Sequence, residues 1–261
     1  RVAVSVGGLP PLFVGAGRAV IAALLAAIAL VVTRQALPQG RQWVGVCVVA
    51  LGVVIGFPVL TSFALTTSSA SHGAVVIAVL PAATAVAAVW RTGERPPPAF
   101  WLAAAVGAVC AVAFAVVQGG GLGALRLSDL LLFGAVIAAA VGYAEGGLLS
   151  RELGAWQTIS WALVVAAPVM MALTAFGARG GVGGTAPAWW SFAYLGVVSM
   201  FLGFFAWYRG LAIGPMTVVS QTQLIQPVLS VAWSALLLGE ALSLGVVGGG
   251  LAVIACAAFT V

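Results

Sequence analysis

The chain has 261 residues, 63% hydrophobic and 6% charged, with a net charge of +5 and a mean hydropathy of +1.22. A soluble domain carries about 25% charged residues, so this composition excludes a soluble enzyme, a nucleic-acid-binding domain and a disordered chain. All ten basic residues are arginines, scattered between hydrophobic runs rather than gathered into a stripe, and in a lipid-solvated chain they report orientation, not a polyanionic partner.

Residues 1–8 read as the tail of a helix and are too short for a signal peptide. The full protein is therefore expected to hold ten helices, with the first largely missing. Nine apolar runs follow: 12–32, 44–63, 70–90, 100–117, 130–149, 158–176, 189–207, 218–238 and 244–261. Each meets or approaches the roughly 20 residues that a helix needs to cross a hydrocarbon core. The runs are continuously apolar and rich in Ala and Leu, without the alternation of a membrane β-barrel, so an all-α integral membrane fold is expected. Polar or Gly/Pro-rich connections separate several of them, at 33–43, 91–99, 118–129, 150–157 and 177–188. Cys47, Cys110 and Cys256 lie inside apolar runs without CxxC spacing, which predicts inert buried thiols rather than a disulfide framework or zinc site.

The arginines set the orientation. Arg34 and Arg41, Arg91 and Arg95, Arg151, and Arg209 fall in alternating connections and so on one side, against Arg126 and Arg179 on the other. The richer side is expected to be cytoplasmic, with both termini of the ten-helix chain there. Trp43, Trp90, Trp101, Trp156, Trp189, Trp190 and Trp207 sit at predicted helix ends, where an aromatic belt belongs. Trp161 and Trp233 lie deeper.

The two halves repeat. Residues 80–94 read LPAATAVAAVWRTGE and residues 226–240 read QPVLSVAWSALLLGE, each with a Pro thirteen residues before the Glu that ends the helix. A unit of five helices is odd, so the second copy enters the membrane from the opposite side. This gives two inverted five-helix repeats, 1–118 and 119–261, an architecture typical of secondary transporters with a site near the midplane.

The Leu-Pro-Pro lead-in to a helix containing Arg18, the two Pro…Gly-Glu helix ends and the five-plus-five repeat together resemble the drug/metabolite transporter superfamily, EamA type, over essentially the whole chain. The resemblance implies a ten-helix inner-membrane carrier that works by alternating access, usually exporting small metabolites. It also implies that the fourth and ninth helices line a central cavity and the fifth and tenth lie outside it. The missing first helix, His72 and Glu145 depart from the pattern.

Ionisable groups inside the membrane are costly and are functional candidates by default. Arg18, about a third of the way into its helix, binds a substrate carboxylate or else holds the structure through backbone carbonyls or a partner acid. Glu145, in GYAEGG beside Tyr143, exchanges protons in proton-coupled transport, or sits near the cytoplasmic interface and pairs with Arg151 or Arg209. The ninth helix carries VVSQTQLIQP. There Gln221, Thr222, Gln223 and Gln226 offer uncharged hydrogen-bonding groups, and Gln223 and Gln226 share a face. Pro227 frees the Gln223 carbonyl. Cavity lining and plain helix–helix bonding both fit this face. Pro81, followed by Thr84, is the matching proline of the first repeat, and a pair of Pro-interrupted helices points to a transport site. Glu94 and Glu240 are expected each to favour the N-terminus of the helix that follows. His72 senses external pH or is merely interfacial. Trp161, Trp207, Tyr208 and Trp233 stack on an aromatic or cationic solute, or simply pack.

An intramembrane enzyme would need a nucleophile with its base, or a metal site. One His, one loop Asp (Asp129) and three unpaired Cys assemble neither. There is no Walker A motif, so ATP does not drive the chain directly. A channel or structural membrane module is the rival reading. A phosphate-sugar or nucleotide-sugar antiporter ranks below both, since only Arg18 lies well inside a span. The reading is therefore a secondary carrier in the cell membrane, without cofactor or metal. Its partners are a small solute and the bilayer, with protons and a second copy of the chain as options, and no nucleic acid.

Overall fold

The computed structural model describes residues 3–4, 8–68, 73, 76–117 and 127–238. The expected span 244–261 lies outside them, as do His72, Arg126 and Glu240. Among the described residues the secondary structure is helical, with no strand. In chain order the helices are α1 (Pro11–Val32), α2 (Gln42–Ala64), α3 (Leu80–Thr92), α4 (Pro98–Val117), α5 (Leu127–Leu153), α6 (Ala155–Gly177) and α7 (Ala186–Ile213). The last, α8, is built from Met216–Gln221, a 3-10 turn Thr222–Leu224, and Ile225–Leu238. Helix thus stands at eight of the nine expected places. Among the described residues α1, α2, α5, α6 and α7 are long and apolar enough to cross a membrane. Their exposed side chains include Leu24, Val31, Leu51, Ile137 and Leu202, an outside suited to lipid rather than water.

Local chemistry sets the boundaries. Proline occupies the first turn of α1 and α7, where its missing N–H costs nothing. At the end of α1 the Gln35 amide reaches back to the Leu30 carbonyl (2.9 Å) and the Arg34 amide to Val31 (3.0 Å). This is a Schellman closure, with Arg34 held at φ 52° in the left-handed region that glycine normally fills. Gly93 ends α3 with a left-handed cap at φ 72°, its amide donating to the Val89 carbonyl (2.9 Å).

The expected connection 150–157 is absent. Arg151 and Glu152 continue α5 to Leu153, and only Gly154 separates it from α6. Polar residues at the end of a spanning helix resemble a loop in sequence but keep good helix propensity. Asp129, expected in a loop, is likewise buried in the first turn of α5. Gly154 has φ 95° and ψ 151°, a region open essentially to glycine, and a Cβ there would strike the Gln157 side chain. Gly154→Ala is expected to lower stability by about 1–3 kcal/mol, read as an earlier thermal unfolding transition in detergent.

The chain falls into two compact units. The first holds Arg1–Ser62 with Val141–Ile213, and the second Phe63–Ala140 with Gly214–Val261. In the first unit α1 packs against α6 and α7, and α6 also meets α2. Glycines permit the close approaches that helices in lipid rely on. A Cβ on Gly177 would lie 2.7 Å from the Phe13 backbone nitrogen, and one on Gly196 would lie 2.8 Å from Ile21. Both α2 and α7 loosen into π-helix, at Ala50–Gly56 and Leu195–Leu202. Pro81 and Pro227 are 146 residues apart, and the same spacing carries 50–56 onto 196–202.

One end of this unit is fastened by polar side chains. Gln42 donates to Glu152 (3.2 Å), Gln157 donates to Gln35 (3.2 Å), and Arg151 Nε donates to the Ala212 carbonyl near the end of α7 (3.1 Å). Connection 33–43, the α5–α6 joint and the end of α7 therefore meet, bringing Arg34, Arg41, Arg151 and Arg209 to the same end. In the second unit α3 packs on α8 and α4. Ala85, Phe100 and Ala104 form one apolar cluster with Val218, and Ala78 and Leu224 form another with Cys110, Val112, Ile225 and Val228.

Candidate functional site

In the first unit Arg18 and the α7 aromatics meet at Tyr143 of α5. Arg18 lies seven residues into α1, about 10 Å along its axis. It is in electrostatic reach of the Tyr143 hydroxyl. Its Nε is buried and meets no hydrogen-bond partner. Tyr143 also meets an aromatic wall from α7. The Trp207 ring centroid is 5.4 Å away at 69°, Phe204 is at 6.4 Å and Tyr208 at 6.5 Å. Edge-to-face pairs of this kind are favourable. The Trp207 indole N–H is also buried without a partner. Tyr143, Phe204 and Trp207 are half-buried, so part of each ring remains open.

Tyr208 is the fixed member of this group. It is fully buried, its hydroxyl donates to the Gly142 carbonyl (3.3 Å), and its ring fills the space beside Gly146 where a Cβ would otherwise stand. The run GYAEGG is therefore built for contact: Gly142 faces Val53 of the π-helical part of α2, and Gly146 faces Tyr208. Glu145 is half-buried. Its Oε1 lies against Gly45 of α2. Arg151 donates to the Ala212 carbonyl and Arg209 is exposed.

In the second unit both expected prolines mark helix interruptions. Residues 76–77 are helical, 78–79 turn, and α3 restarts with Pro81 in its first turn. In α8 the 3-10 turn Thr222–Leu224 precedes the segment that holds Pro227. The side chains divide by role. Thr84 is buried and donates to its own helix at Leu80 (2.8 Å), and Thr222 is exposed and donates to Val219 (2.8 Å). Gln223 is half-buried with an unpartnered Oε1, and Gln226 is exposed. The deepest amide is Gln221, fully buried, which donates to the Pro81 carbonyl (3.2 Å) and to Ser220 (3.1 Å) while its Oε1 lacks a partner. Pattern reading set Gln223 and Gln226 above it, because which amide turns inward depends on the 3-10 turn.

Glu94 corrects an expectation. It does favour a helix N-terminus, but not that of α4, the next helix. Its carboxylate accepts the amides of Met216 (2.9 Å) and Thr217 (3.0 Å) and the Thr217 hydroxyl (2.8 Å), closing the start of α8. A carboxylate set against the first free N–H groups of a helix satisfies them and complements its dipole. The four positions after Glu94 include three prolines, Pro96–Pro98, which supply few amides for it to cap.

Two segments of the chain, residues 2–117 and 126–261, match the EamA-like transporter family. The chain belongs to that family. It is 43% identical over 257 residues to "Uncharacterized transporter YdeK" of Bacillus subtilis (strain 168), covering 97% of this chain and 88% of that one. A solved crystal structure shares the fold, with a TM-score of 0.80 at 21% identity over 99% of this chain and 91% of its own. EamA membership makes the chain a multi-pass membrane transporter and not an enzyme. Within this EamA chain the expected residues separate into an Arg18–Tyr143–Trp207 group in one unit and a Pro81–Thr84–Thr222–Gln223–Gln226–Pro227 group in the other. Glu145 places its Oε1 against Gly45 of α2. Gln221, Phe204 and Glu94 acquire roles that spacing alone did not assign.

Proposed function

We propose that the chain is a secondary carrier that exports a small solute by alternating access, built from inverted repeats at 1–118 and 119–261 with its arginine-rich end and C-terminus in the cytoplasm. The observation that supports this best is the agreement of irregularities at one spacing. Helix breaks precede Pro81 and Pro227, and π-helix occupies Ala50–Gly56 and Leu195–Leu202. Broken helices at matching places in two halves are the feature carriers use to expose backbone to a solute, and π-segments recur at functional sites. Arg18, Tyr143 and Trp207 are the solute contacts of the first unit. Gln223, with Gln226, Thr222, Pro227, Pro81 and Thr84 around the breaks, supplies those of the second.

The deciding experiment is counterflow in proteoliposomes. A carrier loaded inside with unlabelled solute accelerates entry of labelled solute, whereas a channel shows no such trans-stimulation. Protons are the proposed driving ion and Glu145, a half-buried carboxylate within α5, their carrier. Glu145→Gln is expected to retain counterflow but lose the dependence of net flux on a pH gradient. Unchanged pH dependence removes Glu145 from coupling.

A further inference from the structure

We infer that the Arg18–Tyr143–Trp207 cluster binds the carboxylate of an organic monocarboxylate whose apolar body lies along the α7 aromatic wall. The inference rests on the carrier reading above, since it names the solute class that the same chain would move.

Two buried N–H groups of this unit lack an acceptor: Arg18 Nε and Trp207 Nε1, the first on a guanidinium in electrostatic reach of Tyr143 and the second on a ring 5.4 Å from it. An orphaned donor in a dry interior forfeits a hydrogen bond, and one on a permanent cation forfeits more. A ligand acceptor would satisfy such donors. The guanidinium is always charged and presents its N–H groups as a planar fork, which matches the two oxygens of a carboxylate. The Tyr143 hydroxyl, within electrostatic reach of Arg18, can donate to the same group.

The rest of the surroundings selects among anions. Phe204 and Trp207, both half-buried, give ring surface to an apolar body. A phosphate ester would call for several cations, and among the described residues Arg18 is the arginine well inside a span. An amine would meet the guanidinium head-on, which outweighs what the ring faces return through cation–π attraction. The ligand is thus an acid with one negative charge and a ring or branched alkyl body, with no requirement for an ammonium group.

The test uses the full chain purified in detergent. Thermal stabilisation and tryptophan fluorescence are titrated with 3-phenylpropionate, cyclohexanecarboxylate and indole-3-acetate, each beside its neutral amide, and with 3-phenylpropylamine and inorganic phosphate. At least one acid is expected to bind roughly tenfold more tightly than its amide, and the amine and phosphate are expected not to bind. Arg18→Gln should abolish the preference for acid over amide, and Trp207→Phe, which keeps a ring and removes the N–H, should weaken acid binding. The acid–amide comparison is made on the unaltered protein and does not depend on the folding of any variant. If no acid outbinds its amide, or if Arg18→Gln leaves the preference intact, the inference is overturned. If an acid binds as expected but shows no counterflow, the carrier reading fails and the carboxylate site stands. If an amine or neutral solute shows counterflow that Arg18→Gln does not change, the carrier reading stands and the carboxylate site falls.

Discussion

Gly146→Val is expected to cost about 2–5 kcal/mol and to abolish a well-defined thermal transition in detergent. A Cβ at position 146 would fall within the ring of Tyr208, which is fully buried and held by its bond to Gly142. The ring has nowhere to go. Moving it leaves a phenolic hydroxyl without a partner and opens the aromatic wall facing Tyr143. Tyr208→Phe should be mild by comparison, about 1 kcal/mol, since it removes one long hydrogen bond and keeps the ring. The pair is coupled: Gly146→Val in a Tyr208→Ala background should cost much less than in the native one, a deviation from additivity that a double-mutant cycle reads directly. Additive costs would mean that the glycine serves some other neighbour.

Glu94→Ala is expected to be the second large effect, about 2–4 kcal/mol, because it strips three charge-assisted bonds from the start of α8. Met216 and Thr217 are themselves buried, so water is poorly placed to replace the carboxylate. Glu94→Gln keeps one acceptor oxygen and should lose roughly half as much. Thr217→Val, which removes only the hydroxyl, should cost about 1 kcal/mol. Thermal unfolding of the four proteins in one detergent checks this ranking. A loss in Glu94→Ala no greater than in Thr217→Val would mean that the backbone amides gain nothing from the acid.

Much of this was legible in the residues. Runs of about 20 apolar residues mark spanning helices, and the place of each described helix follows from them. The paired prolines foretold the two interruptions, because a proline cannot complete the preceding turn wherever the chain packs. Three features were not legible, each for a tertiary reason. Glu94 is followed by prolines that cannot use it, and its partner lies 122 residues away, so no local rule connects them. Gln221 and Gln223 are both polar on one short helix, and only the 3-10 turn decides which amide reaches the Pro81 carbonyl. The loop expected around Arg151 and Glu152 is a helix end, because their polarity marks the membrane surface and not a break. In the Tyr143 group, Arg18 was visible as a rare charge inside a span and Trp207 as one of several rings able to stack on a solute. Their shared neighbour became visible only once α1, α5 and α7 stood together.

The cap on α8 also carries information about biogenesis. Glu94 leaves the ribosome 122 residues ahead of the amide it will hold. At about 5–20 residues per second, that is a wait on the order of 10 s. Throughout it the carboxylate must remain hydrated at the membrane surface, and α3 must remain undocked at that end. The second unit therefore cannot close during synthesis of the first half; it assembles late, when the closing helices arrive, and the nascent half-protein is the stage most exposed to misinsertion and to quality-control proteolysis.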